Sequence, residues 1–511
     1  MSHSMSRRQI LLGGLVLAGA STLGACTKGA STTGSSATTA AGSTTATTTR
    51  LAAPAVTKSL TAKPISIDIG GIEAKTWGYV AADGEPAIDI KAGEVLQVDI
   101  KNELPESTSI HWHGVALEHG SDGVPQVTQK PIEPGESYQY QFVVPDGGTY
   151  FYHSHSGLQL ERGLNAPLIV RDPQDKNDHD VEWTIMLDDW LDGIDGKTPE
   201  HQLEMLTGMA AGDHNGMHKD AHGHMHSSDH AGMAMGNGGA SMAHGTPDPQ
   251  LGGDAGDVMY PYYLINGRIP SAHHTFQAQP GNKARLRFIN AGGDTIFKVA
   301  LGDHRMTVTH IDGHPVRPQD VESFYIAMGE RVDVEVTLGD GAFPLTALAV
   351  GKNDRAFAVV RTAGGQAPEP TVSFPELESV GTFLTAFEPA DRARLPKGEP
   401  VREVSVGLTG QMMPYEWGMT IDGGIDPIIV KEGERIRMVM HNDTAMPHPM
   451  HIHGHTWALP DSNGLRKDTV LIRTGETVVA DLLATNPGQW SFHCHNDYHM
   501  GVGMMNWVNY Q

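Results

Sequence analysis

The sequence predicts an all-β protein built from three Greek-key β-sandwich domains, and three observations carry that prediction. The chain has 511 residues, too long for one ordinary core and suited to about two to four domains. Sixty glycines and 31 prolines demand many turns, which fits short strands better than helical bundles. A unit also recurs three times: GEVLQVDIKN from Gly93 to Asn102, GNKARLRFIN from Gly281 to Asn290, and GERIRMVMHN from Gly433 to Asn442. Each copy sets its Gly and Asn nine apart around alternating apolar and polar residues, so each marks one strand of the same β-unit.

Residues 1–26 read as an address. Ser6-Arg7-Arg8-Gln9-Ile10-Leu11 looks like a twin-arginine export motif, and an apolar run to Leu17 follows it. Leu23-Gly24-Ala25-Cys26 resembles a bacterial lipobox, in which cleavage before Cys26 frees that cysteine for lipidation. The apolar run is too short to span a bilayer. The expectation is an exported, extracytoplasmic protein, in the periplasm or on the cell surface, that touches the membrane only through a lipid anchor on Cys26. Residues 27–59 are rich in Ser, Thr and Ala, cannot bury a core, and read as a flexible linker; regular alternation begins near Pro64.

The domains are expected at 60–172, 173–370 and 371–511, with turn-rich seams at Arg171-Asp172-Pro173 and Gly364-Gly365-Gln366-Ala367-Pro368. The second carries an insertion, 205–244, dense in His, Met, Gly and Ala and without apolar periodicity. Its composition points to disorder, and its thioethers and imidazoles point to copper, since both are soft or borderline ligands. Met217, His222, His224, Met225 and His226 are its candidate copper ligands.

A formal charge of −24 excludes nucleic acid as a partner, because phosphate binding needs a basic face. Two cysteines permit one disulfide at most, and each has a better use: Cys26 in the signal, Cys494 as a metal thiolate.

Histidine pairs follow the repeats. Nine residues beyond Asn102 and Asn442 stand His111 and His451, each with a second histidine two further on, His113 and His453. Five residues beyond Gly148 and Gly488 stand His153 and His493, again paired with His155 and His495. The middle repeat has no such pair. The first and third domains can therefore face each other and pool eight histidines at one interface. The last pair lies in HCHNDYHMGVGM, after a strand at Gln489-Trp490-Ser491-Phe492. Alternation along a strand turns Cys494 to one face and His493 and His495 to the other. One segment can thus serve a thiolate site and donate imidazoles to a second site. Cys494 with two histidines and a weak methionine is a blue-copper set, and His499 and Met504 lie close enough to complete it.

His111-Trp112-His113-Gly114, His153-Ser154-His155, the stretch His448-Pro449-Met450-His451-Ile452-His453-Gly454-His455, and HCHNDYHMGVGM resemble the four signatures of the multicopper oxidases, in the family's order. The resemblance covers the chain from about residue 60 to its end and implies cupredoxin-like domains holding four copper ions. It implies His448, Cys494, His499 and axial Met504 at a type 1 copper, and His111 and His451 at a type 2 copper. It gives His113, His153, His155, His453, His493 and His495 to a type 3 pair; His119 and His455 match no ligand position. It further implies that electrons enter through an exposed edge of His499 and pass along Cys494 to His493 and His495, where O2 is reduced to water. Asp122 matches an acidic position that supplies protons, and Met500 stands where many bacterial members carry a glutamate.

Tyr498-His499-Met500 and the stretch Asn442 to His448 resemble the copper-resistance branch, and Met446, two before His448, is a candidate for binding Cu(I). With the insertion, this favours oxidation of Cu(I) in copper tolerance. Laccase-like oxidation of phenols or aromatic amines is the alternative. A copper-sequestering lipoprotein is the alternative of another class, to be told apart by loose copper without thiolate colour. A complete ligand set on one chain is compatible with a monomer.

Overall fold

The computed structural model describes residues 51–176, 178–208 and 245–511. The export signal, most of the linker, and Met217, His222, His224, Met225 and His226 of the insertion lie outside the described residues.

Six sheets pair into three sandwiches. In the first, a four-stranded sheet built on Val56–Asp68 and Val95–Asn102 faces a second that contains His111–His113 and Gly148–His153. The second and third sandwiches each pair a six-stranded sheet with a five-stranded one. Strand order is non-sequential throughout, so the chain crosses repeatedly between facing sheets.

Two boundaries differ from the sequence reading. The first strand begins at Val56, inside the expected linker, and runs parallel to the repeat strand from Val56↔Leu96 to Ala62↔Asn102. Its polar composition hid it. Lys58 is buried because its ammonium reaches Asp83 at 2.9 Å, so only Val56 and Leu60 advertise a core-facing strand. Met205 and Leu206, assigned to the insertion, belong to the helix Pro199–Leu206, capped by Thr198. After the second sandwich, residues 371–399 lie along it in short turns, with Val316 bridged to Pro389, and the third sandwich opens at Arg402–Gln411.

The three repeats become equivalent central strands, Val95–Asn102, Lys283–Asn290 and Arg435–Asn442, and their spacing has a mechanical reason. Each closing asparagine is fully buried and staples the loop beyond it. Asn102 donates to Glu106 O and Ile132 O, Asn290 to Thr295 O and Ile326 O, and Asn442 to Met446 O and Ile472 O. Each also accepts a backbone N–H two residues on, from Leu104, Gly292 and Thr444. Each opening glycine donates to the neighbouring strand's end, at Val144 O, Leu338 O and Ala484 O. A buried amide can be left with no unmet polar atom only if all these partners are in place, which is why the unit recurs intact.

The histidine-bearing strands are the inner strands of the first and third sandwiches. His111 pairs with His153 across one sheet and His451 with His493 across the other. The residues between them face the cores: Trp112 packs on Phe142 at 5.0 Å and Tyr152 at 5.3 Å between ring centroids.

Candidate metal centre

Two donor clusters form around the strand Gln489–Cys494. On one side the Cys494 thiol lies 3.7 Å from His448 Nδ1 and 3.6 Å from His499 Nδ1, and those two nitrogens are 3.1 Å apart. His499 stands on the short helix Asp497–Gly501, which Asn496 caps by accepting from the N–H groups of Tyr498 and His499. Met504 is buried beside them, its carbonyl accepting from Cys494 N–H at 3.0 Å. The far nitrogen of each imidazole is occupied: His499 Nε2 lies 2.9 Å from Asp257 Oδ2, and His448 Nε2 lies 2.7 Å from Thr444 Oγ1. With its proton on the Asp257 side, His499 turns a lone pair toward the matching lone pair of His448. Two lone pairs and a thiol sulfur converging in a dry pocket need a cation between them.

On the other side all eight paired histidines meet between the first and third sandwiches. Ring nitrogens of His155, His453 and His493 lie within 4.8 Å of one another, as do those of His111, His451 and His453, and those of His111, His113 and His153. His495 completes the group, its ring centroid 4.8 Å from that of His113. His453 Nδ1 is held by Asp122 Oδ2 at 2.9 Å and His493 Nδ1 by Cys494 O at 2.9 Å, while their Nε2 atoms face each other at 3.0 Å. Those two facing nitrogens are again lone pairs. His111 Nε2, His113 Nδ1, His153 Nε2, His155 Nε2 and His451 Nε2 are buried with no hydrogen-bond partner, each aimed inward. Orphaned inner nitrogens on imidazoles whose outer nitrogens are held, as in His111, His113, His153 and His451, are what a metal site requires, and the soft thiolate–imidazole set fits copper.

Burial and the neighbouring imidazoles hold His153, His453, His493 and His495 well below the usual histidine range. His155 is brought to about 4 by burial and His111. All are therefore neutral at neutral pH, the form in which an imidazole can take a metal. Burial pushes the Cys494 thiol up, so its ionisation depends on a bound cation.

Sequence reasoning missed four contributors. Asp468 accepts near His113 and His451, at 3.4 and 3.5 Å, with Thr469 Oγ1 beside both rings. Asp257, in the middle domain, holds His499. Trp417 covers that ring at 4.3 Å between centroids. Asp497, two residues beyond His495, is buried with Oδ2 unpartnered, and burial with Asp189 pushes its carboxyl well above the usual range. The charged Arg466-Lys467-Asp468, set between Leu465 and the apolar Val470-Leu471-Ile472, was the one available signal.

Two expectations are corrected and a third is met. His499 has no exposed edge, because Asp257 and Trp417 from neighbouring elements seal it. Met446 is 1% exposed and sits in the core, its carbonyl bound to Asn442, so it does not face incoming ions. His119 and His455 bind Gln489 O and Tyr510 Oη and lie apart from both clusters.

Three family models, each described as multicopper oxidase, match residues 61–175, 182–365 and 399–511. Multicopper oxidase MmcO of Mycobacterium tuberculosis is 42% identical over 463 residues, covering 89% of this chain and 87% of that protein. Copper resistance protein A of Escherichia coli is 28% identical over 559 residues, covering 87% and 91%. Among solved structures, a multi-copper oxidase from Pseudomonas thermotolerans superposes with a TM-score of 0.64 at 23% identity, covering 89% of this chain and 99% of that one. Fet3p, a multicopper oxidase that functions in iron import, superposes with a TM-score of 0.70 at 20% identity, covering 89% and 90%. The last two share the fold of three cupredoxin-like sandwiches. The chain belongs to the multicopper oxidase family and is a copper-binding oxidoreductase that uses O2 and a reducing substrate.

Proposed function

We propose that the chain binds four copper ions and couples oxidation of Cu(I) to reduction of O2 to water, in copper tolerance. His448, Cys494 and His499 with axial Met504 would hold the type 1 ion, and His111 and His451 the type 2 ion. His113, His153, His155, His453, His493 and His495 would hold the type 3 pair. Bound copper supplies a one-electron acceptor at the thiolate and, at the histidine cluster, the site where four electrons and four protons convert O2 to two waters.

The chain's own residues do the rest. Cys494 is flanked in one strand by His493 and His495, so a covalent path joins the two clusters. Asp122 holds the His453 Nδ1 proton, and Asp497 keeps its own, which makes them proton holders beside the cluster. Trp417 and Asp257 keep water from His499.

One observation carries Cu(I) over a phenol. His499 is covered by a buried carboxylate, Asp257, whose Oδ1 has no hydrogen-bond partner while Oδ2 accepts from Tyr415 Oη at 2.6 Å. An aromatic ring finds no open imidazole edge there, whereas a cation finds a carboxylate. Met259, two residues after Asp257, and Met413, two before Tyr415, are exposed thioethers suited to a soft ion. The insertion 205–244, with Met217, His222, His224, Met225 and His226, would gather such ions.

Export by the twin-arginine motif, anchoring through Cys26 in the periplasm or on the cell surface, and a monomeric state belong to the same reading. They rest on the leader's sequence and on one chain holding every ligand. The test is O2 uptake with Cu(I) and with a phenol, for the full chain and a deletion of 209–244. Strong Cu(I) turnover that falls on deletion while phenol turnover holds supports the proposal. Negligible Cu(I) turnover with phenols oxidised by both forms identifies a laccase instead.

A further inference from the structure

Among the described residues the middle sandwich contributes no ligand to either donor cluster, yet one of its arginines lies at the point where all three sandwiches meet. Arg331 is fully buried. Its Nη1 and Nη2 donate to Asp468 Oδ1 and Oδ2, both at 2.6 Å, in a fork that spans from the second sandwich to the third. Its Nε donates to Thr149 O of the first sandwich at 3.2 Å, and Nη1 also donates to Gly329 O of its own at 2.9 Å. Asp468 in turn faces His113 Nε2 and His451 Nδ1, one histidine from each side of the cluster.

The backbone is shaped around this bridge. Gly114, which closes the HWHG motif, has φ +80° and passes so close that a Cβ would lie 2.3 Å from Arg331 Nη2 and 2.7 Å from Asp468 Oδ2. Gly329, at φ +79°, presses on the cluster itself: a Cβ there would lie 2.8 Å from the His495 ring and 2.9 Å from His113.

The cluster has a second carboxylate with the same office. Asp122, from the first sandwich, holds His111 Nδ1 through its backbone carbonyl at 3.0 Å and His453 Nδ1 through its carboxylate at 2.9 Å; Asp468, from the third, holds His451 Nδ1 through its backbone carbonyl at 3.0 Å and faces His113 Nε2 with its carboxylate at 3.4 Å. The two are related by the internal repeat, and each grips one histidine from either side. They differ in one respect. Asp468 is clamped by a guanidinium, whereas Asp122 faces imidazoles and has Oδ1 without a hydrogen-bond partner. Three further buried charges, Asp312, Glu330 and Lys467, brace the clamp, with Lys467 Nζ 2.9 Å from Asp312 and 3.0 Å from Glu330.

We propose that Arg331 is a positioning residue through which the middle sandwich fixes, by way of Asp468, the orientation of His113 and His451. The fork fixes Asp468 in place; its carboxylate and Thr469 hold His113 Nε2, and its backbone carbonyl and Thr469 hold His451 Nδ1, leaving His113 Nδ1 and His451 Nε2 without a hydrogen-bond partner for a metal. A carboxylate tethered by one bond could rotate away from His113 and carry with it the residue whose backbone carbonyl holds His451 Nδ1 at 3.0 Å. The inference rests on the reading that these two histidines hold copper.

The test uses the copper-loaded full chain and the variants Arg331→Gln, Arg331→Lys, Asp468→Asn and Arg331→Gln with Asp468→Asn. Copper per chain, the type 2 electron paramagnetic resonance signal and the thiolate-to-copper absorption are read together. Loss of an outer partner to a ligand histidine lowers metal affinity by about 10- to 100-fold. Arg331→Gln and Asp468→Asn are therefore expected to bind type 2 copper that much more weakly while the thiolate absorption per chain is unchanged. The double variant should be no worse than Asp468→Asn, because both changes break one linkage. Should Arg331→Gln fail to fold, Arg331→Lys decides: it keeps the charge without the fork, and an altered type 2 spectrum is expected. A type 2 signal and copper content equal to the parent in these variants overturns the proposal, as does parallel loss of the thiolate absorption. A parent chain without a type 2 signal would instead overturn the four-copper reading.

Discussion

Asp257 Oδ2 lies 2.9 Å from His499 Nε2, so a carboxylate of the middle domain grips a histidine that belongs to the thiolate cluster of the third. The contact sets the tautomer of His499.

Asp257→Asn is expected to keep the thiolate absorption and to weaken the reaction with Cu(I). A hydrogen bond to a charged group contributes roughly 1.5–3 kcal/mol, which corresponds to about 10- to 100-fold in kcat/KM. Steady-state kinetics with Cu(I) and with a phenol check it. Equal losses for both substrates would show that Asp257 acts only by holding His499 and does not receive the ion.

Asp122→Asn keeps the shape of the contact to His453 Nδ1 but not its charge or its capacity for a proton. Reoxidation of the fully reduced protein by O2 should slow about 100-fold or more, while reduction of the thiolate cluster by substrate keeps its rate. Stopped-flow recovery of the thiolate absorption separates the two half-reactions. Slowing of both would mean that the variant has disturbed the cluster as a whole.

Copper-free protein should lose stability as the pH falls. Burial holds His153, His155, His453, His493 and His495 below the unfolded value near 6.5. Below that value the unfolded chain takes up protons that the folded chain refuses, so stability is full above it and declines toward the folded value. For His155 the window runs from 6.5 to about 4, at about 1.4 kcal/mol per pH unit. Thermal unfolding of the copper-free protein between about pH 7 and pH 5 checks this. A midpoint that does not fall contradicts the neutral, buried cluster.

Asn290→Ala in the middle sandwich tests the repeat without touching a ligand. It removes bonds to Thr295 O, Ile326 O and Gly292 N and leaves buried backbone groups unmet. A cost of roughly 2–4 kcal/mol is expected in denaturant unfolding, with the copper spectra unchanged. A loss under about 0.5 kcal/mol, the range of ordinary surface substitutions, would mean that water replaces the staple.

The sequence carried the histidine-bearing strands and the three-fold repeat because both are local. Gly and Asn nine apart, and histidines two apart on a strand, are fixed by the geometry of a single segment. The residues that orient those histidines were hidden because they arrive from elsewhere in the fold. Asp257 sits in a stretch without periodicity, next to the insertion, and reaches a ring 242 residues away. Arg331 looks like an ordinary charged residue opening a strand until its partner, 137 residues on, is known. Lys58 misled for the opposite reason, since a buried lysine stem whose ammonium reaches the exposed Asp83 made a strand look like linker. The sealing of His499 was likewise invisible, because Trp417 and Asp257 come from separate elements.

The measurement that tests the central claim most directly is the ratio of Cu(I) oxidised to O2 consumed by the copper-loaded chain, with hydrogen peroxide assayed alongside. Coupling of the two clusters through Cys494 predicts about four Cu(I) per O2 and no peroxide. A ratio near two with peroxide accumulating would contradict it, since electrons would then leave the chain without reaching the histidine cluster.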